Sequence, residues 1–337
     1  MDIVLSGIRP TGQLHLGNYF GALRNFVRMQ HDAKCYFFIA DYHALTTHDD
    51  PTRLHENVRT VLAEYLAAGI DPDVATVYVQ SDVPQVTELS LLLGMHAYVG
   101  ELERTASFKD KVRKNPSNVN AGLLTYPVLM AADILIFKAN LIPVGRDQIQ
   151  HIEMCRDIAA RFNMLYGNGK EILPLPEALI DEEVAVLPGL DGRKMSKSYD
   201  NVIPLFEGGE KALKEAIMKV VTDSKLPGEP KDPDSTSLTQ LYEAFATHEE
   251  REAFRKALRE GLSWGEAKEI VFNTINGEIG PMREKYEMYM REPEVVEKIL
   301  IEGVERIRPM ARELVAQVRE AVGLRAFRAL ENKAKKV

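Results

Sequence analysis

Short apolar runs alternate with stretches in which apolar residues recur every three to four positions, and this alternation fills the first half of the chain. Asp2 to Ser6 reads as a short buried strand. A turn rich in glycine and proline, Gly7-Ile8-Arg9-Pro10-Thr11-Gly12, leads from it into a helix marked by the spacing of Leu16, Tyr19, Phe20, Leu23 and Val27. The unit then repeats. Cys35 to Ala40 is strand-like, Thr52 to Ala68 helical, Ala75 to Gln80 strand-like, and Leu141 to Val144 a further strand ahead of a helix from Gln148 to Phe162. Strands that alternate with helices form parallel sheets, because a parallel crossover needs a helix-length connection. The expected fold is α/β, a Rossmann-like doubly wound parallel sheet with ligands at the carboxyl ends of its strands, plus an all-helical C-terminal domain.

The second domain is expected because the texture changes past Ser198, where strand-like runs fade and Glu, Lys, Arg, Ala and Leu recur at helical spacing. Residues 227–234, Pro-Gly-Glu-Pro-Lys-Asp-Pro-Asp, form a loop within it, too rich in proline for a helix interior. The expected division is residues 1–198, residues 199–293, and residues 294–337, whose long helix from Glu294 to Val322 packs back on the first domain.

Composition narrows the class. Of 337 residues, 45% are hydrophobic and 27% charged, enough for a large core and a smaller second one. A net charge of −8 argues against a protein that coats nucleic acid through a global positive field, so no DNA partner is expected. Local patches remain open to RNA: Lys109, Lys111, Arg113 and Lys114, and a tail with Arg325, Arg328, Lys333, Lys335 and Lys336; on charge pattern alone a solvated surface is the favoured reading of each. Cys35 and Cys155 have no CxxC or CxxH partner, so neither a disulfide framework nor a metal site is expected. No apolar h-region precedes the first strand and no apolar run reaches the ~18 residues that span a bilayer, so a cytoplasmic protein without a membrane partner is expected.

Two elements carry candidate chemistry. Thr11-Gly12-Gln13-Leu14-His15-Leu16-Gly17-Asn18 is a loop feeding a helix N-terminus, where backbone N–H groups and the helix dipole favour phosphate. Gly17 would allow close approach of a nucleotide, and His15 and Asn18 offer donors to phosphate oxygens. His15 could equally be a cap, and Gly17 and Gly21 packing residues. Far along the chain Lys194-Met195-Ser196-Lys197-Ser198 follows Leu187-Pro-Gly-Leu-Asp-Gly-Arg193. Glycines 189 and 192 would let this loop move, and its two ammonium groups could neutralise charge on a leaving pyrophosphate. An exposed basic loop is the plainer reading of KxxK alone. Together, an HxGN loop at the first helix of a parallel sheet and KMSKS behind it resemble the two-part signature of class I aminoacyl-tRNA synthetases.

The strings SGIRPTGQLHLGNYFGAL, ADYHALT, GELERTASFKDK, YPVLMAADIL and PVGRDQIQHIE resemble the bacterial tryptophanyl branch of that class over essentially the whole catalytic domain. That resemblance implies ATP-dependent activation of L-tryptophan and its transfer to tRNA(Trp), with magnesium on the ATP phosphates and no dedicated protein metal ligands. It implies a homodimer whose helical domain reads the anticodon. By the same resemblance Arg9, Pro10, Thr11, His15, Gly17 and Asn18 line the ATP phosphates and ribose, while Gly145, Arg146, Asp147 and Val186 hold ribose and adenine. Lys111, Lys194 and Lys197, with Met195, Ser196 and Ser198, serve the triphosphate. Leu5, His43, Met130, Asp133, Ile134 and Val144 shape the indole pocket, and Tyr126 and Gln148 hold the amino group. Leu5, Arg9, His15 and Arg146 depart from the commonest bacterial pattern.

Asp133 also speaks from its own setting, a carboxylate in the otherwise apolar run Tyr126 to Phe137. Burying it is costly without a partner. The indole N–H is a donor only, so an acceptor at the end of an apolar slot satisfies both groups and would be left unpaired by phenylalanine. A helix cap or an ion pair with a local Lys or Arg is the alternative, and His43 could be a satisfied core histidine. The rival functions are a tyrosyl-tRNA synthetase, since an Asp also accepts from a phenol, and a non-catalytic synthetase-like sensor of tryptophan or nucleotide.

Overall fold

The computed structural model describes residues 1–46, 50–114, 116–180 and 187–325. Five parallel strands, β1 (Ile3–Ile8), β2 (Lys34–Ile39), β3 (Thr76–Val79), β4 (Leu141–Pro143) and β5 (Glu177–Leu179), lie in the order β3-β2-β1-β4-β5. β1 is central, pairing Ile3 to Ile8 with Lys34 to Ile39 on one side and Val4 with Leu141 on the other. Strand order therefore reverses between β1 and β4, and a crevice opens there beyond the strand ends.

The strands form because their apolar residues are buried on both faces. In β2, Cys35, Phe37 and Ile39 enter one core, while Tyr36 and Phe38 enter the other. The first core joins β1–β3 to the Pro51–Ala67 helix and to the helical region; the second joins the opposite face to the Gln85–Gly94, Ala121–Leu135 and Ile149–Tyr166 helices. β5 is absent from the sequence-based expectation. It is a three-residue edge strand directly after Pro174 and Pro176, and those prolines hide its pattern.

Beyond Asp200 the ordered elements are helices: Gly209–Met218, Ser237–Phe245, His248–Arg259, Trp264–Arg291 and Pro293–Ala321. Reciprocal capping boxes start two of them, Thr247 with Glu250 and Ser263 with Glu266. The 227–234 segment is a loop tied down by Lys231, whose buried ammonium donates to the carbonyls of Leu226 and Glu229, both at 3.0 Å. The Trp264–Arg291 helix packs on Pro51–Ala67, so the helical region shares a core with the sheet. The Pro293–Ala321 helix begins in one core with Val296 and Leu300 and ends in the other with Val304, Ile307, Ala311 and Leu314. It crosses the free edge of β3 at Gly303, where an added Cβ would fall 1.9 Å from the Val77 carbonyl oxygen. Arg306 and Arg308 fasten it on either side of β3, donating to the carbonyls of Pro72 and Asp82. Among the described residues, no helix is long and apolar enough to cross a membrane.

Candidate functional site

The loop after β1 reaches its helix through His15. The Asn18 N–H donates to His15 Nδ1 at 3.2 Å, and the His15 N–H donates to Asn18 Oδ1 at 3.1 Å. His15 is thus the cap that one reading of the sequence offered. Burial, helped by the nearby Lys197 charge, pushes its pKa down to about 4, so the ring is neutral at pH 7. With Nδ1 accepting, the ring proton sits on Nε2, which is left to donate to an oxyanion. Capping and phosphate binding use different nitrogens and are compatible.

Gly17 has a reason of its own. A Cβ there would lie 2.9 Å from His15 Nδ1 and 3.3 Å from Met195 Cβ, so the position is held small by packing inside the protein. The Gly17 N–H points at Met195 Sδ, 3.3 Å away. The Met195 side chain is a buried link between the two signature elements, which leaves its main chain to meet a ligand. Leu16 N–H to Ile203 O and Leu205 N–H to Leu14 O, at 2.9 and 3.2 Å, complete the junction.

A tight hairpin leads into KMSKS, with Pro188 bridged to Lys194 and Gly192 in the left-handed region at φ 82°, and Lys197–Tyr199 form a single 3-10 turn. Asn201, 2% exposed, is its hub: Oδ1 accepts from the Ser196 N–H at 2.8 Å, and Nδ2 donates to Asp191 Oδ1 and the Lys194 carbonyl. A Cβ on Gly189 would strike the Asn201 carbonyl oxygen at 2.3 Å. Gly189 is thus required by close contact and Gly192 by the turn. Lys194 is exposed, Ser196 and Ser198 pair through their hydroxyls at 2.9 Å, and Lys197 Nζ donates to the Thr11 carbonyl at 3.3 Å. Beneath them Glu64, fully buried, accepts the Leu14 N–H at 2.9 Å through Oε1, while its Oε2 has no partner.

Across the crevice, the Ala121–Leu135 helix presents Tyr126, Met130 and Asp133 at positions i, i+4 and i+7, which share one face. Asp133 is 1% exposed and carries three hydrogen bonds: both oxygens accept from Gln80 Nε2, at 2.8 and 2.9 Å, and Oδ2 lies 2.8 Å from His43 Nε2. Burial raises its pKa, and the bonds from His43 and Gln80 oppose that rise. Its partners are neither a cap nor a local Lys or Arg. Leu5 and Ile134 belong to the apolar cluster beside it, with Met130 and Val144 packed partly buried against that cluster.

Tyr126 stands over the same space, its ring 6.4 Å from the His43 ring and 4.6 Å from Lys111 Nζ. Burial and the neighbouring Arg9 charge lower the Lys111 pKa. After β4, Gly145 caps the turn Arg146–Gln148, where Gln148 donates its amide to Asp147 at 3.0 Å and keeps its amide oxygen as an acceptor. Arg9 and Arg146 are exposed, and Pro10 is buried. Val186 lies outside the described residues, as do Arg328, Lys333, Lys335 and Lys336. Gln80, Ser107, His151, Glu64 and Asn201 went unrecognised in the sequence; a polar residue closing the apolar run Val77-Tyr78-Val79 was the one available hint, at Gln80.

A phosphate-type loop after β1, a lysine turn that touches it, and a buried carboxylate held by residues just past β2 and β3 thus all lie beyond the carboxyl ends of the strands. The family tRNA synthetases class I (W and Y) matches residues 2–280. The tryptophan–tRNA ligase of Pseudomonas aeruginosa is 51% identical over 334 residues, covering 96% of this chain and 74% of that one. A tryptophanyl-tRNA synthetase from Campylobacter jejuni, solved in complex with ADP and tryptophan, superposes with TM-score 0.89 at 41% identity, over 96% of this chain and 100% of that one. A tyrosyl-tRNA synthetase from Archaeoglobus fulgidus, at 18% identity and TM-score 0.65 over 85% of this chain and 90% of that one, shares the fold alone. The chain belongs to the class I tRNA synthetases, in their bacterial tryptophanyl branch.

Proposed function

We propose that this chain activates L-tryptophan with ATP and transfers the product to tRNA(Trp). The observation that carries the reading is Asp133, a buried acceptor beside an apolar cluster, held by His43 and Gln80 just past the ends of β2 and β3, while the His15 loop and Lys197 lie past β1. Relatives named as tryptophan–tRNA ligases support it.

In the first step a carboxylate oxygen of tryptophan bonds to the α-phosphorus and the bond to pyrophosphate breaks. No protein nucleophile is needed; positioning and charge neutralisation lower the barrier. Asp133 accepts the indole N–H between Leu5, Met130, Ile134 and Val144, with His43 steadying the carboxylate. Tyr126 and the Gln148 amide oxygen receive the α-ammonium. Arg9, Pro10, Thr11, Gly17 and Asn18 line phosphates and ribose, with His15 Nε2–H aimed at a phosphate oxygen, and Gly145, Arg146, Asp147 and Val186 take ribose and adenine. Lys111, Lys194 and Lys197, with the backbone of Met195 and the hydroxyls of Ser196 and Ser198, meet the triphosphate. Magnesium enters with that triphosphate; among the described residues no three His, Cys, Asp or Glu side chains converge to hold a resident ion.

In the second step the terminal adenosine 2′-hydroxyl of the tRNA takes the acyl group and AMP leaves. Residues 1–198 carry this chemistry, residues 199–293 read the anticodon, and residues 294–337 brace the catalytic part. The working unit is a cytoplasmic homodimer. Exchange of labelled pyrophosphate into ATP, run with tryptophan, tyrosine and phenylalanine, tests the reading. Exchange with tryptophan alone is expected; preference for tyrosine overturns the substrate, and none with any of the three overturns the activity.

A further inference from the structure

At the proposed ammonium site Tyr126 belongs to a closed set of three polar groups, and the other two, Ser107 and His151, have no role in the chemistry above. Tyr126 Oη is 2.6 Å from Ser107 Oγ and 2.8 Å from His151 Nε2, and Ser107 Oγ is 3.1 Å from the same nitrogen. The groups come from three separate helices, Ala106–Lys114, Ala121–Leu135 and Ile149–Tyr166. His151 is 2% exposed, and its Nδ1 is buried without a partner.

That unpartnered atom fixes the direction of the bonds. A proton on Nδ1 would be a buried donor with nothing to receive it, whereas on Nε2 it is used. A charged ring would need both protons, and burial lowers the His151 pKa, which keeps the ring neutral. Nε2–H therefore donates toward Tyr126 Oη. The phenolic hydrogen is turned to Ser107 Oγ at 2.6 Å, since the nitrogen facing it is already a donor. Tyr126 is left with an oxygen lone pair, and no hydrogen, to show to a ligand.

We infer that Ser107 and His151 are positioning residues that turn the Tyr126 hydroxyl so that it accepts from an α-ammonium group and disfavours an α-oxygen in its place. The inference rests on the proposed placement of the tryptophan amino group at Tyr126 and adds what makes that contact selective. Freed from its two partners, the phenol would rotate and donate to a keto oxygen as readily as it accepts from an ammonium. The selected substrate class is then α-amino acids over the corresponding α-keto acids. Binding energy at this contact contributes to discrimination because the wrong analogue leaves two acceptors facing each other.

The test uses the full chain and two probes, tryptophan and indole-3-pyruvate, the second as a competitive inhibitor of pyrophosphate exchange. Ser107→Ala and His151→Leu are expected to raise the tryptophan KM roughly tenfold, the effect of one hydrogen bond to a charged group, with kcat and the ATP KM little changed. The ratio of tryptophan to indole-3-pyruvate affinity is expected to narrow by a similar factor. His151→Gln, which can place an amide N–H near the Nε2 position, is expected to restore much of it. A merely structural role would lower the melting temperature without moving that ratio. Tyr126→Phe separates the two levels: if it narrows the ratio while Ser107→Ala and His151→Leu leave it unchanged, the positioning role is overturned and the ammonium contact stands. If Tyr126→Phe leaves the ratio unchanged, the ammonium placement itself falls.

Discussion

Gln80, at the end of β3, donates its amide to both carboxylate oxygens of Asp133, at 2.8 and 2.9 Å. With His43 on Oδ2, the carboxylate is fixed in place before any ligand arrives, and the rotamer entropy a flexible acceptor would lose on binding is already lost.

Asp133→Ala is therefore expected to lower kcat/KM for tryptophan by ~10³ to 10⁴ while leaving the ATP KM within a fewfold. It also strands the Gln80 amide and the His43 ring, so a loss of about 1–3 kcal/mol in stability should accompany it. Pyrophosphate exchange and urea unfolding measure the two effects. Unimpaired use of tryptophan by the variant would remove Asp133 from the indole site.

Lys197→Ala is expected to reduce kcat for activation by roughly 10² to 10³, with the tryptophan Kd unchanged, because its charge matters chiefly once pyrophosphate begins to leave. Single-turnover adenylate formation together with equilibrium tryptophan binding separates the two quantities. Proportional losses in both would mean that Lys197 acts on ground-state binding instead.

Glu64 gives the protein an alkaline-side weakness. Burial pushes its pKa from 4.5 up to about 8, so the folded protein holds a proton that the unfolded chain releases. Its contribution to stability is complete below about pH 4.5 and is lost as pH rises through 8. His15 runs the other way: its pKa falls from 6.5 to about 4, so the unfolded chain gains a proton first and stability is lost as pH drops across that window. Glu64→Gln should keep the Leu14 N–H bond and remove the alkaline term. Its unfolding free energy is expected to rise relative to the parent by about 1 kcal/mol per pH unit between pH 5 and 8. A difference that does not vary with pH would place the Glu64 pKa in the ordinary range.

Gly17→Ala is expected to cost about 1–3 kcal/mol and to lower activity together with stability, since the new methyl must displace the His15 ring or the Met195 side chain. A variant equally stable and active would show that the junction between the two signature elements has room to give. Thermal unfolding and exchange assays on one preparation decide this.

Four of the strands were legible because each lies in an apolar run between turn residues, even β4, which is no longer than β5. β5 was not, since three residues beside prolines on a sheet edge leave almost no periodic signal. The site divides similarly. His15, Lys197 and Asp133 stand out in sequence, the first two through local motifs and the third as a charge in an apolar run. Gln80 and His151 do not, because each acts on a partner 53 or 25 residues away, and nothing local distinguishes such a polar residue from an ordinary one. Glu64 is harder still: on a helix that carries several charged residues it reads as solvated surface, and its burial depends on distant segments, the Leu14 loop that donates to it and the Trp264–Arg291 helix that packs on its own helix.

The crossing of β3 by the Pro293–Ala321 helix has a consequence during synthesis. On a ribosome making ~5–20 residues per second, the roughly 220 residues separating Val79 from Gly303 take about ten to forty-five seconds to appear. Throughout that interval β3 offers an unpaired edge to any other extended chain nearby. The nascent protein is thus open to misassembly at β3 until the helix that ends the exposure has been made.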